Sequence, residues 1–208
     1  MKSKLSISTL AFITLAGLMV FFSSCKKDED PVKEKETFTD NRDGKVYEYV
    51  KIGNQTWMAE NFAYKPNDGF WAYDNNENNV ATYGYLYTLE TAISIAPDGW
   101  HMPSLDEWNE LIDYLGGSEQ AGNKMKEAGG AHWDSDDHGN KNITNSSGFT
   151  ALPGGYWEDA FDEFNYLGLY GFWWTEPGAH VLLTGNYVDA EIQNGGGSGG
   201  YSVRYIKD

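Results

Sequence analysis

The clearest periodic pattern in the chain predicts a helix that begins after Ser104. The apolar residues at helical spacing, which share one face, are Trp108, Leu111, Ile112 and Leu115. Ser104 and Glu107 have the spacing of a capping box, in which each side chain accepts a hydrogen bond from a backbone N–H at the helix start. Gly116 and Gly117 then end the helix. We expect this helix to pack against a set of irregular strands.

Alternating polar and apolar positions predict strands elsewhere. Residues 45–52 and 55–59 flank the turn signal Gly53-Asn54, and this arrangement predicts a β-hairpin. Helices are predicted over 89–95 and 118–128. Further short strands are predicted over 83–87, 148–157, 168–176, 180–188 and 201–208. Because these elements follow no repeating order, the sequence predicts an α+β fold with much irregular structure.

The first 24 residues have the pattern of a secretory signal peptide. Lys2 and Lys4 precede an apolar run over 10–22, and small residues precede Cys25. The run is too short for a comfortable membrane span. Cys25 is the one cysteine in the sequence, and its position resembles that of the acylated cysteine in a bacterial lipobox. We therefore expect a lipid anchor at Cys25; the alternative is a secreted protein in which this cysteine has no such role.

Residues 25–38 are rich in Lys, Glu and Asp, which predicts a flexible spacer between the lipid and the domain. Residues 26–30 resemble the charged signals that direct lipoproteins to the outer face of the outer membrane in Bacteroidota, although they also suit a solvated linker. Residues 39–208 have the length of one domain with a hydrophobic core. We predict a bacterial outer-membrane protein, exposed at the cell surface and held to the membrane by lipid alone.

The charge of the chain argues against a nucleic-acid partner. The sequence has 15 basic and 31 acidic side chains, and removal of residues 1–24 takes away two lysines and no acid, which leaves a formal charge of −18. Such a surface repels phosphate groups. It attracts divalent cations, or it simply keeps an exported protein soluble.

Four separated segments together resemble one family of bacterial domains. They are VKIGNQTWMAEN over 50–61, GWHMPSLDEW over 99–108, GFTALPGG over 148–155 and SVR over 202–204. In this order they are similar to the Fibrobacter succinogenes major paralogous domain, which occurs on secreted and lipid-anchored proteins. That family is in turn similar to the C-type-lectin-like fold of the sulfatase-modifying, formylglycine-generating enzymes.

The resemblance implies that residues 39–208 form an α+β domain of two helices packed on irregular, mostly antiparallel strands. It implies no settled activity. Two features depart from the family pattern. Tyr205 stands where members often have Cys, and the loop over 132–145 is longer and more acidic than usual.

The cysteine count argues against a formylglycine-generating activity. Those enzymes use paired cysteines and copper, whereas the single cysteine here is assigned to the anchor. Related iron-dependent oxidases use a histidine cluster. The histidines of this chain, which share no pairing on a helix or strand, are His101, His132, His138 and His180. We predict no catalytic residue.

Residues 134–140 resemble the first half of a calcium-binding loop. Asp134, Asp136 and Asp137 offer oxygen atoms before Gly139, and calcium takes six to eight oxygen ligands. Asn145 occupies the twelfth position, where such loops have a bidentate Glu. Two interpretations stay open, an acidic solvated loop without a cofactor and a calcium site.

Aromatic residues make up 15 % of the sequence. Residues 172–175, FWWT, resemble a strand of the formylglycine-generating enzymes that has the pattern aromatic-Trp-Thr/Ser. The tryptophans in this stretch and in the shared segments that are expected to pack in the core are Trp57, Trp100, Trp108 and Trp174. Five others lie in predicted loops beside Asn, Asp and Glu, and they are Trp71, Tyr73, Trp133, Tyr156 and Trp157. Rings of this kind stack on sugar faces while amides and carboxylates bind the hydroxyl groups. The five residues are therefore candidates for ligand binding; the alternative is that they fold back onto the core.

Taken together, these features predict a non-enzymatic surface domain that binds extracellular glycan or protein through its loops. One alternative is an enzyme that acts on envelope or host glycans, although the 31 acids single out no carboxylate pair for glycoside hydrolysis. The other alternative is a structural module of an envelope complex.

Overall fold

A computed structural model describes residues 36–134, 142–195 and 197–208 of the chain. In these residues helices are combined with antiparallel sheets, which confirms the α+β class. The predicted signal peptide, Cys25, Asp136 and Asp137 lie outside the described residues. Within the described part of the chain, no helix has both the length and the apolar character that a membrane span requires.

The helices lie in the first two thirds of the domain. They are α1 (Val80–Tyr83), α2 (Leu89–Ser94), α3 (Leu105–Tyr114) and α4 (Ser118–Met125). The predicted capping box of α3 is confirmed, since Ser104 N donates to Oε2 of Glu107 at 2.8 Å and Glu107 N donates to Oγ of Ser104 at 3.3 Å. The helices predicted over 89–95 and 118–128 are also present, and α4 ends three residues early.

Twelve short strands are found in the described residues. They are β1 (Glu36–Thr39), β2 (Val46–Ile52), β3 (Gln55–Met58), β4 (Phe70–Trp71), β5 (Leu86–Tyr87), β6 (Trp100–His101), β7 (Tyr156–Glu158), β8 (Glu163–Asn165), β9 (Tyr170–Thr175), β10 (Ala179–Thr184), β11 (Ala190–Gln193) and β12 (Ile206–Lys207). They form a five-stranded sheet in the order β1-β2-β3-β12-β6, a three-stranded sheet β11-β10-β9, and the pairs β4-β5 and β7-β8.

The predicted hairpin over 45–59 is confirmed as β2-β3, with Val50 opposite Trp57. β1 pairs with β2 from Glu36 onward, so residues 36–38 of the predicted spacer belong to the sheet. β12 pairs with both β3 and β6, which places a strand from the far end of the sequence in the interior of this sheet.

The strands divide the interior into two hydrophobic clusters. Because side chains alternate along a strand, adjacent residues enter different clusters. Trp57 and Trp173 belong to the cluster covered by α3 and α4, whereas Met58 and Trp174 belong to a cluster rich in tyrosine. The tryptophans that were expected in the core are buried: Trp57, Trp100, Trp108 and Trp174.

The guanidinium group of Arg204 is fully buried between these clusters. Its Nε donates to Oδ1 of Asn61 at 2.7 Å, and Nη1 donates to the carbonyl oxygens of Met58 at 3.1 Å and Phe149 at 2.6 Å. Nη2 donates to the carbonyl oxygen of Thr150 at 2.8 Å. Burial lowers the pKa of Arg204 to about 9, so the side chain stays charged at neutral pH.

The predicted strand over 148–157 is wrong for its first eight residues. Gly148, Thr150 and Gly155 have φ values of 76°, 55° and 63°, which a regular strand does not accommodate. The carbonyl groups of Phe149 and Thr150 turn toward Arg204 instead of pairing with a neighbouring strand. The other predicted strands are present but shorter, and that over 201–208 is reduced to β12.

Replacement of Arg204 is expected to destabilise the domain strongly. Arg204→Met should lower the free energy of unfolding by about 3 kcal/mol or more, because it leaves buried carbonyl groups without a donor. Arg204→Lys should also be destabilising, since an ammonium group cannot reach all four acceptors. Urea unfolding followed by tryptophan fluorescence measures both effects. Lys51→Met, at an exposed position of β2, is the control and should change the free energy of unfolding by less than about 0.5 kcal/mol. Equal stability of Arg204→Met and wild type would contradict the prediction.

Candidate ligand-binding cleft

A cleft of about 400 Å³ lies beside the β7-β8 pair and the β9-β10-β11 sheet. Its lining includes four aromatic side chains, Tyr156, Tyr166, Phe172 and Tyr201. We refer to it as the tyrosine cleft. β7 carries Tyr156, β9 carries Phe172, and Tyr201 directly follows the glycine-rich segment that begins after β11.

The aromatic side chains form a continuous wall. The ring of Tyr156 lies 5.1 Å from that of Phe172 and 5.9 Å from those of Tyr166 and Tyr201, measured between ring centroids. Burial and a hydrogen bond to Glu158 raise the pKa of Tyr156 to about 12, so its hydroxyl group is neutral. Tyr166 is the most exposed ring, at 46 %. The wall therefore offers apolar ring faces with uncharged polar edges.

Polar groups complete the tyrosine cleft. Glu158 and Asp159 supply carboxylates, and Gln193 and Ser198 supply an amide and a hydroxyl group. Among the described residues that line the cleft, none is Lys or Arg. The polar lining is therefore acidic or neutral.

His180 also lines the tyrosine cleft, although its side chain is only 6 % exposed. Burial lowers the pKa of His180, and a hydrogen bond with Gln193 opposes this effect, so the ring is neutral at physiological pH. Its Nδ1 atom has no hydrogen-bond partner among the described residues. Buried polar atoms are almost always paired, and among the described side chains only this atom and Nε1 of Trp108 are buried without a partner.

A second cleft, of about 410 Å³, is lined by Arg42, Tyr64 and Lys65. Its two cationic groups are already engaged. Nη2 of Arg42 lies 2.6 Å from Oδ2 of Asp40, and Nζ of Lys65 lies 2.6 Å from Oε1 of Glu77. The tyrosine cleft is the better candidate because it combines an aromatic wall with an unpaired buried polar atom.

The five aromatic residues predicted to bind ligand are divided between different environments. Tyr156 lines the tyrosine cleft. Trp157 lies on the opposite face of β7, where its ring stacks on Trp71 with centroids 3.7 Å apart and planes 16° apart. Tyr73 belongs to the same small cluster, against which Trp71 packs. Gly200 lies against this stack, and a Cβ atom there would lie 3.0 Å from the Trp71 ring, which is a tight contact.

Trp133 is buried in the cluster covered by α3 and α4. Its Nε1 donates to the carbonyl oxygen of Ala151 at 3.0 Å, and Nζ of Lys126 lies 5.1 Å from the centre of a Trp133 ring. The structure therefore places this side chain in the core and away from the tyrosine cleft.

Asp134 is exposed, and its backbone N–H donates to the carbonyl oxygen of Gly168 at 2.6 Å. Asp136 and Asp137 lie outside the described residues. Within the described ranges, no group of three or more His, Cys, Asp or Glu side chains could hold a metal ion. Calcium binding by this segment stays a prediction.

Comparison with known proteins gives the family of the chain. Residues 50–207 match the family described as the Fibrobacter succinogenes major domain. The chain belongs to this family. The membership of this family that the four sequence segments predicted is thereby confirmed. The matched residues include both Arg204 and the lining of the tyrosine cleft. Searches of curated proteins and of solved structures found no match.

Sequence reasoning missed Tyr166, Phe172, His180 and Tyr201 as cleft residues of this Fibrobacter major domain. Phe172 and Tyr201 are indistinguishable from core aromatics in the sequence. His180 carried a usable signal, because it is the one ionisable residue in the otherwise apolar strand AHVLLT. A titratable side chain within a buried strand is a reason to look for a site.

A cluster of ionisable groups lies at the start of α3 in the Fibrobacter major domain. Nδ1 of His101 lies 2.7 Å from Oδ1 of Asp208, and its Nε2 lies 2.9 Å from Oε1 of Glu107. Oγ of Ser104 donates to Oε2 of Glu107 at 2.8 Å, and both ring nitrogens of His101 pair with carboxylates. Ser104 and His101 are therefore not paired as the nucleophile and base of a triad.

The charged state of His101 should stabilise this Fibrobacter major domain at low pH. Burial opposes ionisation, but the hydrogen bonds with Glu107 and Asp208 outweigh it and raise the pKa of His101, while that of Glu107 is lowered. The contribution of His101 to the stability of the folded state is thus fully present below about pH 6.5, which is the pKa of histidine in an unfolded chain. This contribution is lost as the pH rises through the pKa of His101 in the folded state.

We expect His101→Gln to be more destabilising at pH 5.5 than at pH 8.5. The side chain is 41 % exposed, so the difference between the two pH values should stay below about 1 kcal/mol. Urea unfolding of wild type and variant at both pH values measures it. Asp208→Asn, which removes one carboxylate partner of His101, should also be more destabilising at pH 5.5 than at pH 8.5, but by a smaller difference than His101→Gln. An effect of His101→Gln that is the same at both pH values would contradict the assignment.

Proposed function

We propose that this chain is a non-enzymatic lipoprotein of the bacterial outer membrane whose surface-exposed domain binds extracellular glycan in the tyrosine cleft. The observation that carries the proposal is the aromatic wall of Tyr156, Tyr166, Phe172 and Tyr201 facing carboxylate, amide and hydroxyl groups. The volume of about 400 Å³ lies in the range of small-molecule sites. The signal-peptide pattern and the position of Cys25 support the anchor and the location.

Glycan binding is supported by the chemistry of the cleft. A sugar ring has apolar C–H faces, which pack on aromatic rings, and hydroxyl groups at its edge, which hydrogen-bond to carboxylates and amides. Tyr166 offers an exposed ring, and Glu158, Asp159 and Gln193 offer the polar partners. The proposed fold is C-type-lectin-like, since α3 and α4 pack beside short antiparallel strands joined by irregular segments.

An enzyme that acts on glycans is the second candidate function. Glu158 and Asp159 favour it, because two neighbouring carboxylates line the same cleft as the aromatic wall. Oε2 of Glu158 is 3.1 Å from the hydroxyl group of Tyr156. The test is chromatography of oligosaccharides after incubation with the protein. Turnover that is abolished in Glu158→Gln would favour the enzyme, and intact oligosaccharides that remain bound would favour the binding protein.

Removal of one exposed ring from the wall should weaken glycan binding. Tyr166→Ala is expected to lower the affinity about fivefold on a glycan array, because stacking on an aromatic ring contributes on the order of 1 kcal/mol. Tyr114→Ala is the matched control, since Tyr114 is an exposed tyrosine of α3 that does not line the cleft. Repeating the array with EDTA tests whether calcium takes part.

Absence of binding to every glycan on that array would contradict the proposed function. An affinity that Tyr166→Ala leaves unchanged would contradict the assignment of the tyrosine cleft. An equal loss in Tyr114→Ala would do the same, because that side chain lies elsewhere on the domain.

Cys25 should carry the membrane anchor. In cells that export the protein, Cys25→Ala is expected to abolish incorporation of labelled palmitate and to move the protein from the membrane fraction to the soluble fraction, because acyl chains supply the membrane affinity. Ser24→Ala keeps a small residue before the cysteine and should retain the label. Retention of Cys25→Ala in the membrane fraction would show that another feature holds the protein there.

A further inference from the structure

Among the described histidines, His180 is the one that lines the tyrosine cleft. It lies in the middle strand of the β11-β10-β9 sheet, opposite Trp174 on β9 and Gln193 on β11. Its ring centroid is 5.0 Å from that of Tyr201 and 5.6 Å from that of Phe172. The imidazole is therefore part of the aromatic wall and not a side chain that merely approaches it.

The unpaired Nδ1 atom of His180 calls for a hydrogen-bond partner from outside the described chain. A polar atom that is buried without a partner destabilises the folded state, and a ligand group that pairs with it removes this penalty. His180 lines the cleft, and its Nδ1 atom is buried. A turn of the ring about its Cβ–Cγ bond, a change of the kind that is common at binding sites, exchanges the two edges of the imidazole.

The surroundings of His180 decide the chemistry of that partner. A neutral imidazole nitrogen is a donor or an acceptor according to the tautomer, and a hydroxyl group can pair with it in either role. Glu158 and Asp159 line the same cleft, and the described lining includes no Lys or Arg to balance them. An anionic group would therefore be repelled, whereas hydroxyl groups can donate to these carboxylates.

We propose that the tyrosine cleft takes an uncharged sugar and that the His180 imidazole hydrogen-bonds to one of its hydroxyl groups. This inference rests on the proposed function and adds to it the class of sugar and a residue that binds it. The His180 nitrogen pairs with a hydroxyl group, whereas Glu158 and Asp159 determine the specificity for uncharged sugars because they repel uronic acids and other anionic sugars.

The test compares two substitutions of nearly equal size and shape. Both His180→Asn and His180→Leu remove the imidazole ring, but Asn keeps a polar atom at the same distance from Cβ as Nδ1 and can turn about the same bond. Isothermal titration of the full chain uses neutral tetrasaccharides of glucose, mannose, xylose and N-acetylglucosamine as probes, with tetragalacturonate as the anionic probe. Thermal unfolding of each variant reports its stability separately.

For the neutral tetrasaccharide that wild type binds best, we expect His180→Leu to lower the affinity at least tenfold and His180→Asn to lower it less than threefold. Tetragalacturonate should bind at least tenfold more weakly than that probe. A purely structural role of His180 would lower binding equally in both variants, and this result would overturn the proposal.

Two other results would also overturn it: an affinity that His180→Leu leaves unchanged, and tetragalacturonate binding as tight as that of the neutral probes. Either would leave glycan binding itself intact. If wild type bound none of the five probes, this inference would fail, and the proposed function would fail with it only if the glycan array also showed no binding.

Discussion

The buried guanidinium group of Arg204 is the interaction on which the rest of the domain depends. A charge in the interior is tolerated only when hydrogen bonds replace its hydration. Here the acceptors come from Met58, Asn61, Phe149 and Thr150, which are far from Arg204 in the sequence. Three of the four segments that resemble the Fibrobacter family meet in this single set of contacts. The fourth joins through Trp108, whose ring lies 4.6 Å from that of Trp57 and 5.7 Å from that of Phe149.

The same network connects the core to the tyrosine cleft. Oδ1 of Asn61 accepts hydrogen bonds from Arg204 and also from Nε1 of Trp173, on the strand that carries Phe172. Tyr201 lies three residues before Arg204, and its backbone N–H donates to the carbonyl oxygen of Tyr87 at 3.0 Å. Two of the four aromatic wall residues are thus positioned by segments that the buried charge holds in place. Tyr156 and Tyr166 lie on and just after the β7-β8 pair.

Buried and partly buried ionisable groups fall into two kinds in this domain. Arg204 and Lys126 donate to backbone carbonyl groups, and His101 is paired with two carboxylates. These groups have partners within the chain, and their effects concern stability. His180 differs because Nδ1 is buried and unpaired beside a cleft. The presence or absence of a partner within the described residues therefore distinguishes His180, the candidate binding group, from the ionisable groups that stabilise the fold.

The sequence alone determined the features that depend on neighbouring residues. The capping box of α3, its apolar stripe with Trp108, and the β2-β3 hairpin follow from local periodicity and from backbone groups that must be paired. Only the tertiary structure decided which aromatic residues share a cleft. Tyr156 and Trp157 are adjacent aromatic residues, yet their side chains lie on opposite faces of β7. Trp133 is buried in the core, where its Nε1 donates a hydrogen bond to the carbonyl oxygen of Ala151. These assignments depend on contacts between residues far apart in the chain, and no local pattern encodes which strand will lie beside which.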